Sequence, residues 1–313
     1  MISDHFDGRR FFAPWADTTR SFADLLRWRR ERVAIPWPQS VPLHPHAPAP
    51  AAVDRGQVGV TMIGHATFLL RAADAVWMTD PVFTSHAGPF GRIGPRRVRG
   101  PGLPPSALPP LDFVLVSHNH YDHLQPASLR DVTSRGAPRV IVPLGLRRVV
   151  ERLGRPVSEL DWWQEVTVGG ATITCVPAQH FSARTPWDRN RTLWCGYVVQ
   201  SGGTTVYFAG DTGYGPHFQQ IGARCPGIDV ALLPIGAYEP RWFMRPMHAN
   251  PDEAVRAHLD LGARVSVGMH FGVFHLTDEG IDDPVRALEQ ARAAAGLRPE
   301  DFRVLDFGET VIV

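Results

Sequence analysis

Apolar and polar positions along the chain sort into two groups of strands with helical segments beside each. In the first group, 58–63, 67–71 and 76–79 read as a meander, and an apolar run at 112–116 leads out of it. In the second, strands are predicted at 171–176, 195–200, 204–208 and 230–234, and a further apolar run covers 265–269. Helical spacing marks 126–134 and 146–153 after the first group, then 251–261 and 284–295 around the last strands. Ahead of all of these, 21–33 has helical character, with Phe22, Leu25, Leu26 and Trp28 set among charged neighbours. The proline-rich stretch 36–50 that follows predicts an extended linker. The expected organisation is an N-terminal arm, 1–50, packed on a single domain, 51–313. Strands in two groups with helices outside each fit an α/β fold, a four-layer αββα sandwich.

Chemistry gathers where these strands end. Ser117-His118-Asn119-His120-Tyr121-Asp122-His123 follows the apolar run Phe113-Val114-Leu115-Val116, so a strand delivers His118, His120, Asp122 and His123 to one tight loop. Imidazole and carboxylate are ligands that Zn²⁺, Mn²⁺ and Fe²⁺ accept, and the absence of a thiolate leaves the set without a purely zinc character. Four potential ligands this close can serve two ions. His180 follows the strand at 171–176, Asp211 the strand at 204–208, and His270 the run at 265–269. A lone histidine after a strand is ordinarily a surface or core residue, and a lone Asp before Thr-Gly is ordinarily a turn former. Their joint arrival at strand ends is what converges side chains on one edge of a scaffold.

The segment His118-Asn119-His120-Tyr121-Asp122-His123 resembles the H-x-H-x-D-H signature of the metallo-β-lactamase superfamily, and His180, Asp211 and His270 stand in the order in which that superfamily supplies its other ligands. Three flanking segments narrow the resemblance to the N-acyl-phosphatidylethanolamine-hydrolysing phospholipase D family: 177–182, 208–214 and, most specifically, Ile235-Gly236-Ala237-Tyr238-Glu239-Pro240-Arg241-Trp242-Phe243-Met244. The match begins near His5-Phe6-Asp7-Gly8, passes through Thr79-Asp80-Pro81-Val82-Phe83 and ends around Asp306-Phe307-Gly308-Glu309. The resemblance implies the αββα fold and two zinc ions. His118, His120 and His180 would hold one, Asp122, His123 and His270 the second, with Asp211 and a hydroxide bridging them. Two cations about 3.5 to 4 Å apart lower the pKa of a bridging water and stabilise charge on phosphoryl oxygens. The resemblance also makes His248, in Met247-His248-Ala249-Asn250-Pro251, a candidate for binding phosphate or assisting the leaving group. Met247 departs from the family's usual Gln and cannot donate a hydrogen bond.

Composition narrows the remaining options. All 32 Lys+Arg positions are arginine, which excludes Schiff-base chemistry, pyridoxal phosphate attachment and a Walker-type phosphate loop. A formal net charge of +1 gives no bulk attraction to nucleic acid or an anionic membrane. Arg92, Arg96, Arg97 and Arg99 form a local cluster in a Gly/Pro-rich stretch, 88–110; surface solvation is its expected role, contact with lipid headgroups the alternative. Cys175, Cys195 and Cys225 are odd in number and far apart, which predicts buried small residues rather than disulfides or a thiolate metal site. No stretch has the length of a transmembrane helix, and the first residues, 1–7, lack the apolar core of a secretory signal. Cytoplasmic residence is therefore expected, with peripheral contact at the inner membrane face as an option. A homodimer is compatible with the family resemblance. His65, in Ile63-Gly64-His65-Ala66-Thr67, is expected to be structural, and His5, His44, His46, His86, His217, His258 and His275 to be surface or packing residues.

Phe181, Trp187, Trp194, Tyr238, Trp242 and Phe243 flank the expected ligands and are candidates either for the core or for an acyl-chain channel. Arg184 and Arg241 are candidates for phosphate pairing, with ion pairs to Asp188 or Glu239 as the plainer use. The expected substrate contacts are thus Arg184, Tyr238, Arg241, Trp242 and His248, with Asp122, Asp211 and His248 as catalytic groups. The function implied is a metal-dependent phosphodiesterase that cleaves N-acyl-phosphatidylethanolamine, or a related phospholipid, to phosphatidic acid and N-acylethanolamine. A dinuclear hydrolase of lactones or small esters is the alternative, and a non-enzymatic metal-binding regulator the outside one.

Overall fold

Residues 3–313 are described by the structure, a computed structural model. One sheet takes β1 (Gly59–Gly64), β2 (Thr67–Ala72), β3 (Ala75–Thr79), β4 (Phe113–Leu115), β5 (Arg139–Pro143) and β6 (Val157–Leu160). The other takes β7 (Glu165–Val168), β8 (Ala171–Val176), β9 (Gly196–Ser201), β10 (Thr204–Phe208), β11 (Val230–Pro234), β12 (Val265–Met269) and β13 (Phe302–Arg303). The last strand, β14 (Thr310–Ile312), returns to pair with β1, so the strand orders are β14-β1-β2-β3-β4-β5-β6 and β13-β12-β11-β10-β9-β8-β7. Each sheet joins an antiparallel part to a parallel one: β3 to β6 are parallel in the first and β10 to β13 in the second. Parallel neighbours require crossovers, which put helices on the outer faces. These are α2 (Pro126–Thr133), α3 (Arg147–Val150), α4 (His217–Arg224), α6 (Pro251–Leu261) and α7 (Asp283–Ala294); α1 (Phe22–Glu31) precedes the first strand and α5 (Arg241–Met244) lies in the loop after β11.

Strand sequences with apolar residues on both faces build this layering directly. On β4, Phe113 and Leu115 enter the core between the sheets, while Val114 and Val116 join Leu129 and Val132 of α2 in a smaller outer core. β5 alternates the same way, with Ile141 inward and Val140 and Val142 outward. Trp77, Phe68, Tyr197 and Tyr207 fill the space between the sheets. α6 starts on a capping box in which the Asn250 side chain accepts from the Glu253 N–H, and it stops at Gly262, whose φ of 61° only glycine adopts freely.

The predicted two-group arrangement is the observed fold, and several element boundaries differ from expectation. The helix expected over 146–153 is α-helical only at Arg147–Val150, continues as a 3₁₀ turn at Glu151–Leu153 and ends at Gly154 with φ 64°. β5, β6, β7, β13, β14, α4 and α5 are additional to the predicted elements. β6 and β7 lie at the sheet margins and carry polar residues among their half-buried positions, so their apolar signal is weak. Arg97 and Arg99 also differ from the surface role expected of them. The Arg97 guanidinium donates to the carbonyls of Thr84 and Val82 and lies over the Phe274 ring, while Arg99 lies over Phe307. Cys175 and Cys195 are buried as expected, whereas Cys225 is partly exposed. Among the described residues no helix is long and apolar enough to cross a membrane.

Candidate metal centre

Strand ends set out the site. β4 runs into Ser117, whose N–H donates to Asp80 Oδ1 at 2.7 Å; Asp80 itself follows β3. The other Asp80 oxygen meets His123 Nδ1 at 2.6 Å and turns Nε2 of that ring away, to 3.1 Å from Asp211 Oδ2. Asp211 enters from the end of β10 through Gly210, where φ is 59° and a β-carbon would stand 2.6 Å from that of Ser117. Only glycine lets these two loops approach so closely. His180 follows β8, and its Nδ1 meets the Met247 carbonyl at 2.9 Å, which aims Nε2 at the cluster. His270 follows β12 with φ 64°, next to His65 with φ 59°, and its N–H donates to the His65 carbonyl at 2.9 Å. Asp80 has φ 31°. Three non-glycine residues in the left-handed region each cost on the order of 1–3 kcal/mol, so the surrounding packing must hold them there.

Seven side chains from four strand ends, joined by His65 from the turn between β1 and β2, meet in one buried volume. His118, His120, His180 and Asp211 form one group, and His65, Asp122, His123 and His270 a second, each with its candidate donor atoms within 4.8 Å of one another. In the first, His120 Nδ1 lies 2.8 Å from His118 Nε2 and 3.2 Å from His180 Nε2. In the second, Asp122 Oδ2 lies 3.4 Å from His270 Nε2 and 3.6 Å from His123 Nε2. Asp211 links them, with Oδ1 3.2 Å from His270 Nε2 and Oδ2 3.6 Å from His180 Nε2.

Electrostatics follow from this crowding. Burial, reinforced by neighbouring imidazoles, holds His118 and His180 well below the usual histidine range, and burial takes His120 to about 4. Burial acts against ionisation of Asp211 and Asp122 as well, but the adjacent His123 and His270 outweigh it and hold both carboxyls well below their ordinary value. Burial likewise opposes protonation of His270, yet Asp211 and Asp122 push it up to about 9. The buried atoms His123 Nε2, His270 Nε2 and Asp211 Oδ1 have no hydrogen-bond partner. His118, His120 and His180 are kept neutral, while, against burial, the ionised carboxylates of Asp211 and Asp122 hold His123 and His270 above the usual histidine range, a buried negative charge that a divalent cation would neutralise in place of those two protons.

A cavity of about 500 Å³ opens onto His120, Asp122, Asp211 and His248. Its walls are Phe22, Leu25 and Trp28 of α1 with Phe181, Phe243, Met244, Met247 and Leu276, and Arg20 and Arg189 line it too. His248 is partly buried beside His180, at 5.0 Å between ring centroids, and burial takes it to about 4.

Of the five residues expected to contact substrate, only His248 lines this cavity. The Arg184 guanidinium donates to the carbonyls of Asn119 and Leu124, both at 2.8 Å, and lies over the Tyr121 ring, so it braces the histidine-bearing loop from behind. Arg241 pairs with Glu253 at 2.7 Å and donates to the His248 carbonyl, so its fork is fully engaged. Tyr238 and Trp242 line a different cavity of about 550 Å³, and Trp28 lines both. Direction of projection, invisible in the linear order, separates these residues from their neighbours Phe181 and Phe243. Four participants went unassigned in the sequence. Asp80 is the buried partner of His123, and its only signal is a Thr-Asp-Pro after a strand. His65, read as structural, has Nε2 3.1 Å from Asp122 Oδ2 and its ring centroid 4.0 Å from that of His270, tilted by 41°. Arg20 and Arg189 reach the cavity from just before α1 and from the loop after β8, and nothing in their local sequence marks them.

Comparisons with known proteins agree with this layout. The family model described as a β-lactamase superfamily domain matches residues 77–271. N-acyl-phosphatidylethanolamine-hydrolyzing phospholipase D 1 of Caenorhabditis elegans is 39% identical over 264 residues, covering 80% of this chain and 74% of that protein. An uncharacterised protein of Mycobacterium tuberculosis is also 39% identical, over 272 residues, covering 83% of this chain and 71% of its own. The metallo hydrolase Igni18 of Ignicoccus hospitalis superposes with a TM-score of 0.63 at 23% identity, over 82% of this chain and 98% of that one. Signature, ligand geometry, fold and relatives together establish that the chain belongs to the metallo-β-lactamase superfamily, among the relatives of N-acyl-phosphatidylethanolamine-hydrolysing phospholipase D.

Proposed function

We propose that this metal-dependent hydrolase is a phosphodiesterase of phospholipase D type, acting on N-acyl-phosphatidylethanolamine or a related phospholipid. The observation that carries the reading is the cavity itself, in which apolar walls lead to buried imidazoles and carboxylates and two arginines stand alongside. An acyl chain suits those walls, and a phosphodiester suits a floor that binds cations with Arg20 and Arg189 beside it.

His118, His120, His180 and Asp211 would hold one divalent cation, and Asp122, His123 and His270, sharing Asp211, a second. Zinc is the expected ion, with Mn²⁺ or Fe²⁺ as alternatives of the same donor preference. Such ions supply Lewis acidity and make a nucleophile available at neutral pH. The chain's own groups set the rest. Asp80 and the Met247 carbonyl fix which nitrogens of His123 and His180 face the centre. His248, kept neutral by burial and lining the cavity beside His180, is our candidate for a hydrogen bond to the phosphate or to the departing N-acylethanolamine oxygen. Phe181 and Phe243 keep bulk water from the reacting phosphate.

The test is release of N-acylethanolamine from N-acyl-phosphatidylethanolamine in mixed micelles by purified protein, as isolated, after chelation and with zinc restored. Metal-dependent release that His118→Ala abolishes would support the reading. Full metal loading without turnover of this lipid, together with turnover of lactones or small esters, would sink it.

A further inference from the structure

His180, Asp211 and His248 stand on three separate loops, and one buried residue, Gln179, bonds to the backbone or side chain of all three. It is 5% exposed. Its backbone N–H donates to Thr212 Oγ1 at 2.9 Å and its carbonyl accepts from the Gly213 N–H at 2.8 Å, so the residue before His180 is stitched to the residues that follow Asp211. Its side-chain Nε2 donates to the Pro246 carbonyl at 3.0 Å. The next residue, Met247, presents its carbonyl to His180 Nδ1, and on the far side of His248 the Ala249 N–H donates to the Thr212 carbonyl at 2.8 Å. A β-carbon at Gly213 would stand 2.7 Å from the Pro246 oxygen and 2.8 Å from Gln179 Nε2, so only glycine there lets the loops close on one another.

The other end of the Gln179 amide is held from 164 positions earlier in the chain, where Trp15 Nε1 donates to Oε1 at 3.0 Å. An indole N–H only donates and a carbonyl only accepts, so a single orientation of the amide satisfies Trp15 and Pro246 together. Reversed, it would set donor against donor and oxygen against oxygen. Trp15 is itself placed by stacking, with its ring centroid 5.7 Å from that of Trp162 on one side and 5.6 Å from that of His217 on the other. Trp162 stacks in turn on His5 at 3.9 Å, and His5 Nε2 lies 2.9 Å from Asp161 Oδ1. On the opposite side His217 Nε2 lies 3.0 Å from Thr212 Oγ1, the same hydroxyl that accepts from Gln179. Neither Trp15 nor Gln179 lines the cavity over the histidines, so both act from behind the site.

We propose that Gln179, oriented by Trp15, is a positioning residue that sets His180 and His248 relative to Asp211. The Met247 carbonyl decides which nitrogen of His180 faces the cation group, and Gln179 holds that carbonyl's neighbour in place. Groups that hold a ligand's own partner tune the centre without touching it. The segment around Trp15 therefore belongs to the working site, although it contributes no ligand. The inference rests on the site being a metal centre and is independent of which ester is cleaved.

Titration of the chelator-stripped full chain with Co²⁺ tests it, because cobalt reports affinity and, through its visible absorption, the geometry of its ligands. His180→Ala identifies the ion that His180 holds. Gln179→Met keeps the length of the side chain and removes both hydrogen bonds, and it is expected to weaken that ion about tenfold and alter its absorption, with any other ion bound within about twofold of the parent. Trp15→Phe keeps a ring between Trp162 and His217 and removes only the donor; a loss of about threefold in the same ion is expected. The double variant should be no weaker than Gln179→Met alone, since Trp15 acts through Gln179. Metal-free variants should match the parent in circular dichroism and melting temperature. Unchanged cobalt affinity and absorption in the folded variants would overturn the positioning role and leave the hydrolase reading standing. Equal weakening of all bound cobalt with a lowered metal-free melting temperature would reduce Gln179 to general packing, and additive losses in the double variant would break the route through Trp15; either overturns the proposal. A parent that takes up no cobalt would overturn the metal reading and this inference with it.

Discussion

His123 illustrates how a single side chain is given one orientation here. Its Nδ1 is fixed on the fully buried carboxylate of Asp80, so only Nε2 faces Asp211. Asp80→Asn preserves size but replaces an anionic acceptor with an amide, and loss of such a partner typically lowers metal affinity by about 10–100-fold. Metal analysis after dialysis against a weak chelator measures this, and unchanged retention would refute the role assigned to Asp80. His217 is a different case. It is buried beside Thr212 with Nε2 at 3.0 Å from the hydroxyl, and burial takes its pKa from 6.5 to about 3. The folded state therefore resists a proton that the unfolded chain accepts. This group's contribution is complete above pH 6.5 and declines as pH falls toward 3, by about 1.4 kcal/mol per pH unit. Urea denaturation between pH 7 and pH 4 should show a shallower pH dependence for His217→Gln than for the parent. At this scale the sequence was legible where the ligands are contiguous, as at 118–123, and illegible for Arg184 and Arg241, whose guanidinium groups turn to backbone carbonyls and Glu253.

Strands and their exits were the most readable elements. β8, β10 and β11 have the expected bounds because each is a buried apolar run closed by turn residues. β6 and β7 were not, since a marginal strand owes its existence to the neighbour that pairs with it. Loop junctions depend on the same contacts. Gly210→Ala would put a methyl 2.6 Å from the Ser117 β-carbon at a φ of 59°. We expect a loss of about 1–3 kcal/mol of stability together with a displaced Asp211. A variant whose unfolding midpoint and metal content match the parent would contradict this account of the β10 exit.

At the scale of the whole molecule, two half-folds meet so that carboxyl ends of strands from both sheets share one opening. Each sheet alone offers an incomplete set: His118, His120, Asp122 and His123 come from the first, and His180, Asp211 and His270 from the second. Cations bound across that seam would couple the halves. Chelation should therefore lower the unfolding midpoint of the whole chain in one transition, and added zinc should restore it in proportion to its concentration above Kd. A midpoint indifferent to chelator and zinc would refute binding across the seam. Local chemistry in the sequence determined the strand runs, the ligand types and their order, because apolar periodicity and donor identity are properties of residues and their neighbours. The tertiary structure decided that Asp80 orients His123, that Arg20 and Arg189 rather than Arg184 and Arg241 reach the cavity, and that Tyr238 and Trp242 face elsewhere. Those outcomes depend on where a side chain points once distant segments pack, and direction is fixed by backbone torsion and by partners far away in sequence.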